Sequence, residues 1–170
     1  MINPLATYWM AAAGSGYAKP GDWQSWADAI IERCDAPDDW LIELSLAHDL
    51  PALMRSLASR LQEERSCAEL DEARDDAILG YLWLRYERGE LTLADCLKHS
   101  ASFADSGSAS IECELVFGLL NGLEQAIDQR ETNAIAARAE SLFAPMRTVA
   151  SSQWKALMEA EQDVSEEAVR

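Results

Sequence analysis

The groups in this 170-residue chain with chemistry to offer are two histidines, four cysteines and a surplus of carboxylates. Asp95, Cys96 and His99 sit close enough in sequence to share a helical stretch, with Asp95 and His99 four apart on one face. A Cys–His pair three apart is half of a zinc site. Closing a structural zinc tetrahedron takes four ligands, however, and the remaining Cys and His residues are scattered singly. The simpler reading is a surface Asp95–His99 pair with Cys96 turned into the core. Di-iron bundles need Glu-x-x-His on each of two helices. No such motif occurs here: Glu43 and His48 are five apart, and Glu112 and Glu114 flank Cys113, where a helix cannot bring them to one face. There is no Gly-x-Ser-x-Gly elbow and no Gly-rich phosphate loop with its Lys. Gly14-Ser15-Gly16 and Ser106-Gly107-Ser108 follow no strand pattern and read as loops. The expectation is a binding protein, not an enzyme, with no catalytic residue, metal or cofactor.

Charge narrows the choice of partner. Thirty acids against 14 bases give a formal net charge of −16, which disfavours nucleic acid and anionic membrane and suits a basic protein. The acids are unevenly placed. Asp35, Asp38, Asp39, Glu43 and Asp49 form one segment without Lys or Arg; Glu69, Asp71, Glu72, Asp75 and Asp76 form another, relieved only by Arg74. Asp35 and Asp49 have the look of helix N-caps, and acids ahead of a helix also complement its dipole. The candidate partner-binding residues are therefore Asp38, Asp39, Glu43, Glu69, Asp71, Glu72, Asp75 and Asp76, with Tyr86 as an aromatic anchor. A third run, Glu159, Glu161, Asp163, Glu166 and Glu167, reads as a solvated tail.

The elements that must position these groups are helical. Residues 77–84, AILGYLWL, are apolar or Gly throughout, so a helix there has no face to give to water and belongs inside a bundle. Gly80 at its middle suits a place where two backbones come close. Asp75 and Asp76 at its start, Arg85 and Arg88 in its last turns and Gly89 beyond complete the pattern. The stripe Trp23, Trp26, Ala27, Ile30, Ile31 and Cys34 predicts an amphipathic helix capped by Asp22. A helix over 3–13 would have Asn3 as N-cap and Pro4 in its first position. Asp35 and Pro37 would open the helix carrying Trp40, Leu41 and Leu44. Asp49 would cap one carrying Leu50, Leu53, Met54, Leu57, Ala58 and Leu61, the charged stretch 63–74 would be a linker, and Thr92 with Asp95 resembles a capping box. Ser110 would cap a helix striped with Ile111, Leu115, Val116, Leu119, Leu120, Leu123 and Ile127. Apolar phase runs on through Pro145, but proline favours a break or sharp kink.

No stretch alternates as a half-buried strand does. The expected architecture is an all-α, single-domain bundle of seven or eight helices around a central helix at about 75–88. It covers residues 1–160, with 161–170 a frayed acidic tail. The cysteines, in helical apolar patterns without close pairs, suggest reduced thiols in a cytosol. The N-terminal residues do not have the form of a secretion signal, and no run approaches the ~20 apolar residues of a membrane span.

Residues 80–105 (GYLWLRYERGELTLADCLKHSASFAD), residues 111–127 (IECELVFGLLNGLEQAI) and residues 35–49 (DAPDDWLIELSLAHD) resemble the small acidic, all-helical bacterial immunity proteins that neutralise toxins of polymorphic-toxin, contact-dependent or type VI secretion systems. The likeness is one of texture and transfers no residue role. It implies a cytoplasmic protein that binds one cognate toxin domain, a basic one such as a nuclease fitting the acidity. The alternative is a helical adaptor or scaffold whose Leu and Trp stripes take a peptide or a second copy.

Overall fold

The computed structural model describes residues 4–64, 68–106 and 109–167. Among these every regular element is a helix: α1 (Leu5–Gly14), α2 (Pro20–Ile31), α3 (Asp39–Ser45), α4 (Leu50–Glu64), α5 (Ala68–Glu87), α6 (Leu93–Ser106), α7 (Cys113–Gln125) and α8 (Gln129–Glu167). The all-α expectation holds, with eight helices among the described residues. They group into two compact units, Met1–Leu70 with Ser152–Arg170, and Asp71–Ser151, where composition suggested one domain over 1–160. No helix of the described residues is long and apolar enough to cross a membrane.

The first unit is built around tryptophan. Trp9 meets Trp26 edge-on at 5.3 Å and Trp154 at 5.8 Å, and Tyr17 adds a further edge contact to Trp154 at 5.2 Å. Such pairs add to the burial of large rings. Two indole N–H groups fix where the neighbours lie, Trp23 donating to the Ala47 carbonyl at 2.8 Å and Trp26 to the Leu157 carbonyl at 2.7 Å. Leu53, Leu57 and Leu61 of α4 are buried as the stripe predicts, whereas Leu50 and Met54 are not.

Several helix starts move from where local rules put them. Lys19 is the N-cap of α2; Asp22 is its third residue and accepts the Lys19 backbone N–H at 2.7 Å. Pro20 takes the first helical position, which suits its fixed φ. α3 opens at Asp39 after Asp38, so Asp35 and Pro37 lie ahead of it; its phase follows Leu41 and Leu44, the pair it buries. Asp49 does cap α4, accepting the Ala52 N–H at 2.7 Å.

The N-terminus of α1 has a remote cap. Asn3 lies outside the described residues, and Pro4, at the N-cap position, brings no side-chain acceptor. The orphan N–H groups of a first turn need partners. They find them in Glu64 at the end of α4, 4 % exposed, which accepts the Ala6 N–H at 3.2 Å, the Thr7 N–H at 2.9 Å and the Thr7 hydroxyl at 2.7 Å. Arg60, one turn earlier on α4, lies 3.5 Å from the same carboxylate. The buried charge thus faces a helix dipole, three donors and a guanidinium. Glu63 and Glu64 are helical and α5 begins at Ala68, so most of the expected linker over 63–74 is helix, and residues 65–67 lie outside the description. Glu, Ala and Arg are strong helix formers, and their polarity governs exposure more than conformation.

The second unit pairs α5 with the first part of α8. A Cβ on Gly80 would run into the Met146 carbonyl oxygen and lie 2.5 Å from its carbon and 2.8 Å from the Ala150 Cβ. Only hydrogen fits there. One turn on, Trp83 stacks on Phe143 at 5.1 Å and 12°. Around this contact Leu79, Leu82, Leu97, Val116, Leu119 and Ala139 complete a buried cluster. α5 ends where Gly89, at φ 73°, lets the Glu90 N–H reach back to the Arg85 carbonyl and its own N–H to that of Tyr86. α8 runs through Pro145 as one helix, so of the expected break or sharp kink the break does not occur. Phe143, Met146 and Ala150 keep one buried phase on both sides of it, and packing offsets the missing N–H. Helix also continues past Glu161 to Glu167, where composition suggested fraying.

Two substitutions test these contacts. Glu64→Ala leaves buried donors without an acceptor and is expected to lower unfolding free energy by about 2–4 kcal/mol in urea, with Glu64→Gln losing about half as much. Gly80→Ala raises helix propensity by about 1 kcal/mol but overpacks the α5–α8 contact, so a net loss of about 1–3 kcal/mol is expected. A stabilised Gly80→Ala protein in thermal unfolding would contradict the close approach.

Candidate protein-binding surfaces

The two acidic segments behave differently once folded. In the second, Asp71 pairs with Arg74 at 2.8 Å, and Asp75, only 2 % exposed, holds the same guanidinium at 2.7 Å. Asp76 accepts the backbone N–H of Ser110 at 2.8 Å and its hydroxyl at 2.8 and 3.0 Å. Ser110 is therefore an anchor to α5; α7 takes Glu112 as its N-cap position. Asp75 is corrected from a surface acid to a buried one, and Asp76 from a free to a committed one. Glu72 stays exposed, and the Glu69 side chain lies outside the description.

In the first segment Asp38, Asp39 and Glu43 are all exposed, and none enters an ion pair among the described residues. The Trp40 indole N–H reaches Asp38 at 3.4 Å. Beside them stand Ile42 at 42 % exposure, Leu46 at 66 %, Leu50 at 39 % and Met54 at 37 %, four of the seven large apolar side chains exposed among the described residues. They recur every four residues in sequence, Ile42 in α3, Leu46 just past its end, and Leu50 and Met54 one helical turn apart at the start of α4. No Lys or Arg occurs between Arg33 and Arg55. The stripe rule had assigned Leu50 and Met54 to the core; periodicity marks a face without saying what covers it.

The second unit carries two grooves along α8. One, of about 580 Å³, runs between Leu115 and Leu119 of α7 and Ala137, Arg138, Ser141 and Leu142. Leu115, expected inside, is 51 % exposed, as are Phe117 at 42 % and Ile127 at 91 %. The other, of about 400 Å³, is lined by Trp83, Tyr86 and Glu87 of α5 and by Asn133, Ala136 and Glu140 of α8. Tyr86, singled out in sequence, is half-buried with its ring 4.9 Å from that of Trp83. Asn133 and Glu140 lie more than 45 positions away from it in the chain, and nothing local marks them.

The chemistry-bearing residues do not converge. Asp95 and His99 are exposed while Cys96 is fully buried, and no group of three potential metal ligands exists among the described residues. Thr92 caps α6, its hydroxyl accepting the Asp95 N–H at 3.1 Å and donating to the carboxylate at 2.7 Å. That hydrogen bond, ahead of smaller effects including the His99 and Lys98 charges, holds the Asp95 carboxyl below its ordinary value. A depressed carboxyl stabilises the fold above its unfolded titration range, and the contribution fades as pH falls through the folded value. His48 rests at 3.0 Å from the Gln24 amide. Burial pushes the Cys96 thiol up to about 12, with the Ser100 hydrogen bond and the Arg85 charge opposing only in part.

No family model, curated protein or solved structure matches the chain. The fold and surfaces define an all-helical acidic protein with exposed apolar stripes.

Cys96 provides the check on this placement. With a thiol at about 12, only a small fraction is thiolate at pH 8. Iodoacetamide is expected to leave Cys96 intact in the native protein and to modify it only in denaturant, read by peptide mass spectrometry.

Proposed function

We propose that this chain is a non-enzymatic immunity-type protein that binds and neutralises a cognate, basic toxin domain through an acidic surface. The observation that carries the reading is the stretch from α3 into α4, where Leu46 is largely exposed and Ile42, Leu50 and Met54 partly so, in the same segment as the exposed Asp38, Asp39 and Glu43. An exposed apolar stripe in a folded protein marks an interaction site more often than not. Carboxylates at its rim speed encounter with a basic partner and penalise an acidic one. Apolar side chains supply the buried anchor and the acids supply selection. Asp71, Glu72 and Tyr86 of the second unit are further candidate contacts. Cytoplasmic residence fits this role and is part of the same proposal. A second reading, a helical adaptor that docks a peptide, is favoured by the apolar groove beside Leu115 and Leu119.

The test is co-expression with the domain encoded next to this gene. A stable complex and relief of toxicity are expected. Leu46→Asp with Ile42→Asp should weaken binding by about 100-fold through lost anchors, while Asp38→Asn with Asp39→Asn and Glu43→Gln should mainly slow association and flatten its salt dependence. A neighbour that encodes no toxin, together with a purified chain that captures no effector domain, would end the immunity reading.

A further inference from the structure

We propose that the groove between α5 and α8 lined by Tyr86 and Glu140 receives an arginine side chain from a polypeptide partner. The site lies wholly in the second unit and shares no residue with the α3–α4 stretch; Tyr86 alone is also a candidate contact of the proposed function, and the argument here makes no use of that role.

The groove, at about 400 Å³, has room for a long side chain, and its walls are of two kinds. The apolar wall is aromatic and rigid. Trp83, 2 % exposed, is stacked on Phe143, and the half-buried Tyr86 packs on Trp83, both rings lining the groove. The polar wall comes from Glu87 on one helix and Glu140 and Asn133 on the other. Glu87 is held in place through one oxygen, Oε1, which accepts the Trp83 indole N–H at 3.1 Å and the Arg147 guanidinium at 2.7 Å. Its second oxygen takes no hydrogen bond from the described residues, and Glu140 is exposed with none. A ring surface flanked by two carboxylates matches a cation on an apolar stem. A planar guanidinium fits better than a compact ammonium, because it stacks on a ring while its edge N–H groups reach carboxylate oxygens. Arg147 already shows that Glu87 accepts a guanidinium N–H. The net charge of −16 adds attraction for a basic segment and opposes an acidic ligand. A polypeptide source is favoured because the groove is an open channel along two helices, which admits a side chain while its backbone stays outside.

The experiment is a two-dimensional amide NMR titration of the full chain with blocked Ala-Ala-Arg-Ala-Ala, the same peptide with norleucine for arginine, and agmatine. Saturable shifts confined to residues around Tyr86, Asn133 and Glu140 are expected for the arginine peptide and not for the norleucine peptide. Glu140→Gln, an exposed change that should leave the rest of the spectrum in place, is expected to weaken the arginine peptide about fivefold. Tyr86→Leu should weaken it by a similar factor, and Glu114→Gln on α7 should leave it unchanged. Three results would overturn the proposal. They are shifts spread over every acidic segment, equal binding of the norleucine peptide, and agmatine binding tenfold tighter than the peptide. The last would assign the groove to a small organic cation.

Discussion

The second unit depends on one short distance, the approach of α5 to α8 at Gly80. A side chain there would meet the Met146 carbonyl and the Ala150 Cβ, so the helices touch backbone to backbone. That contact fixes the geometry of the pair in the turns beyond it. Trp83 is brought flat against Phe143, and Tyr86 and Glu87 come to face Ala136 and Glu140 across a groove. Glycine inside a helix costs about 1 kcal/mol against alanine. The cost is offset only if the space it opens is filled by other atoms, and here the opposing backbone fills it. The rigidity of the aromatic wall thus comes from a residue with no side chain.

Helical phase was the legible part of this sequence. The apolar octet 77–84, the Trp23–Ile30 stripe and the caps at Asp49, Thr92 and Gly89 are local patterns, and each is found where the pattern places it. The misses share a cause. Pro145 argues for a break when only its own missing N–H is considered, yet Phe143, Met146 and Ala150 hold the helix from outside. The charged run 63–74 looks like a linker because polarity was read as conformation. Ser110 looks like a cap because nothing local shows that Asp76, 34 positions earlier, claims it. Glu64 is the plainest example. A carboxylate 57 positions from Thr7 closes the first turn of α1, and no spacing rule can connect residues that distant. Of the candidate surfaces, the acids and Tyr86 could be named from sequence; the apolar exposure beside the acids, and the α8 wall of the groove, could not.

Charge alone did not separate the two acidic segments, and their fates show why. In the segment with an arginine inside it, three carboxylates are committed: Arg74 is shared between Asp71 and Asp75, and Asp76 is spent on Ser110. Five carboxylates with no arginine had nothing local to neutralise them, so Asp38, Asp39 and Glu43 stay in water. An arginine placed among the acids, as Arg74 is, is thus what commits two of them here. Its absence leaves acids facing outward, where their field acts over about 8–10 Å at ordinary ionic strength.

On the proposed function, exposed apolar groups turn that field into a surface with a preferred partner. Leu46 at 66 % exposure gains little from its own fold, and Ile127 at 91 % still less. Burying such a side chain yields about 1.5–3 kcal/mol, but only against a surface that also tolerates the neighbouring carboxylates. A partner that is apolar without basic groups would strand Asp39 and Glu43 unpaired and dehydrated, at a cost comparable to what the apolar contact provides. A partner that is basic without apolar groups would gain only the weak worth of exposed ion pairs. On the proposed function, the two requirements together would select an amphipathic, basic surface. They do so through the juxtaposition of Ile42 and Leu46 with Asp39 and Glu43 on and just beyond a single seven-residue helix.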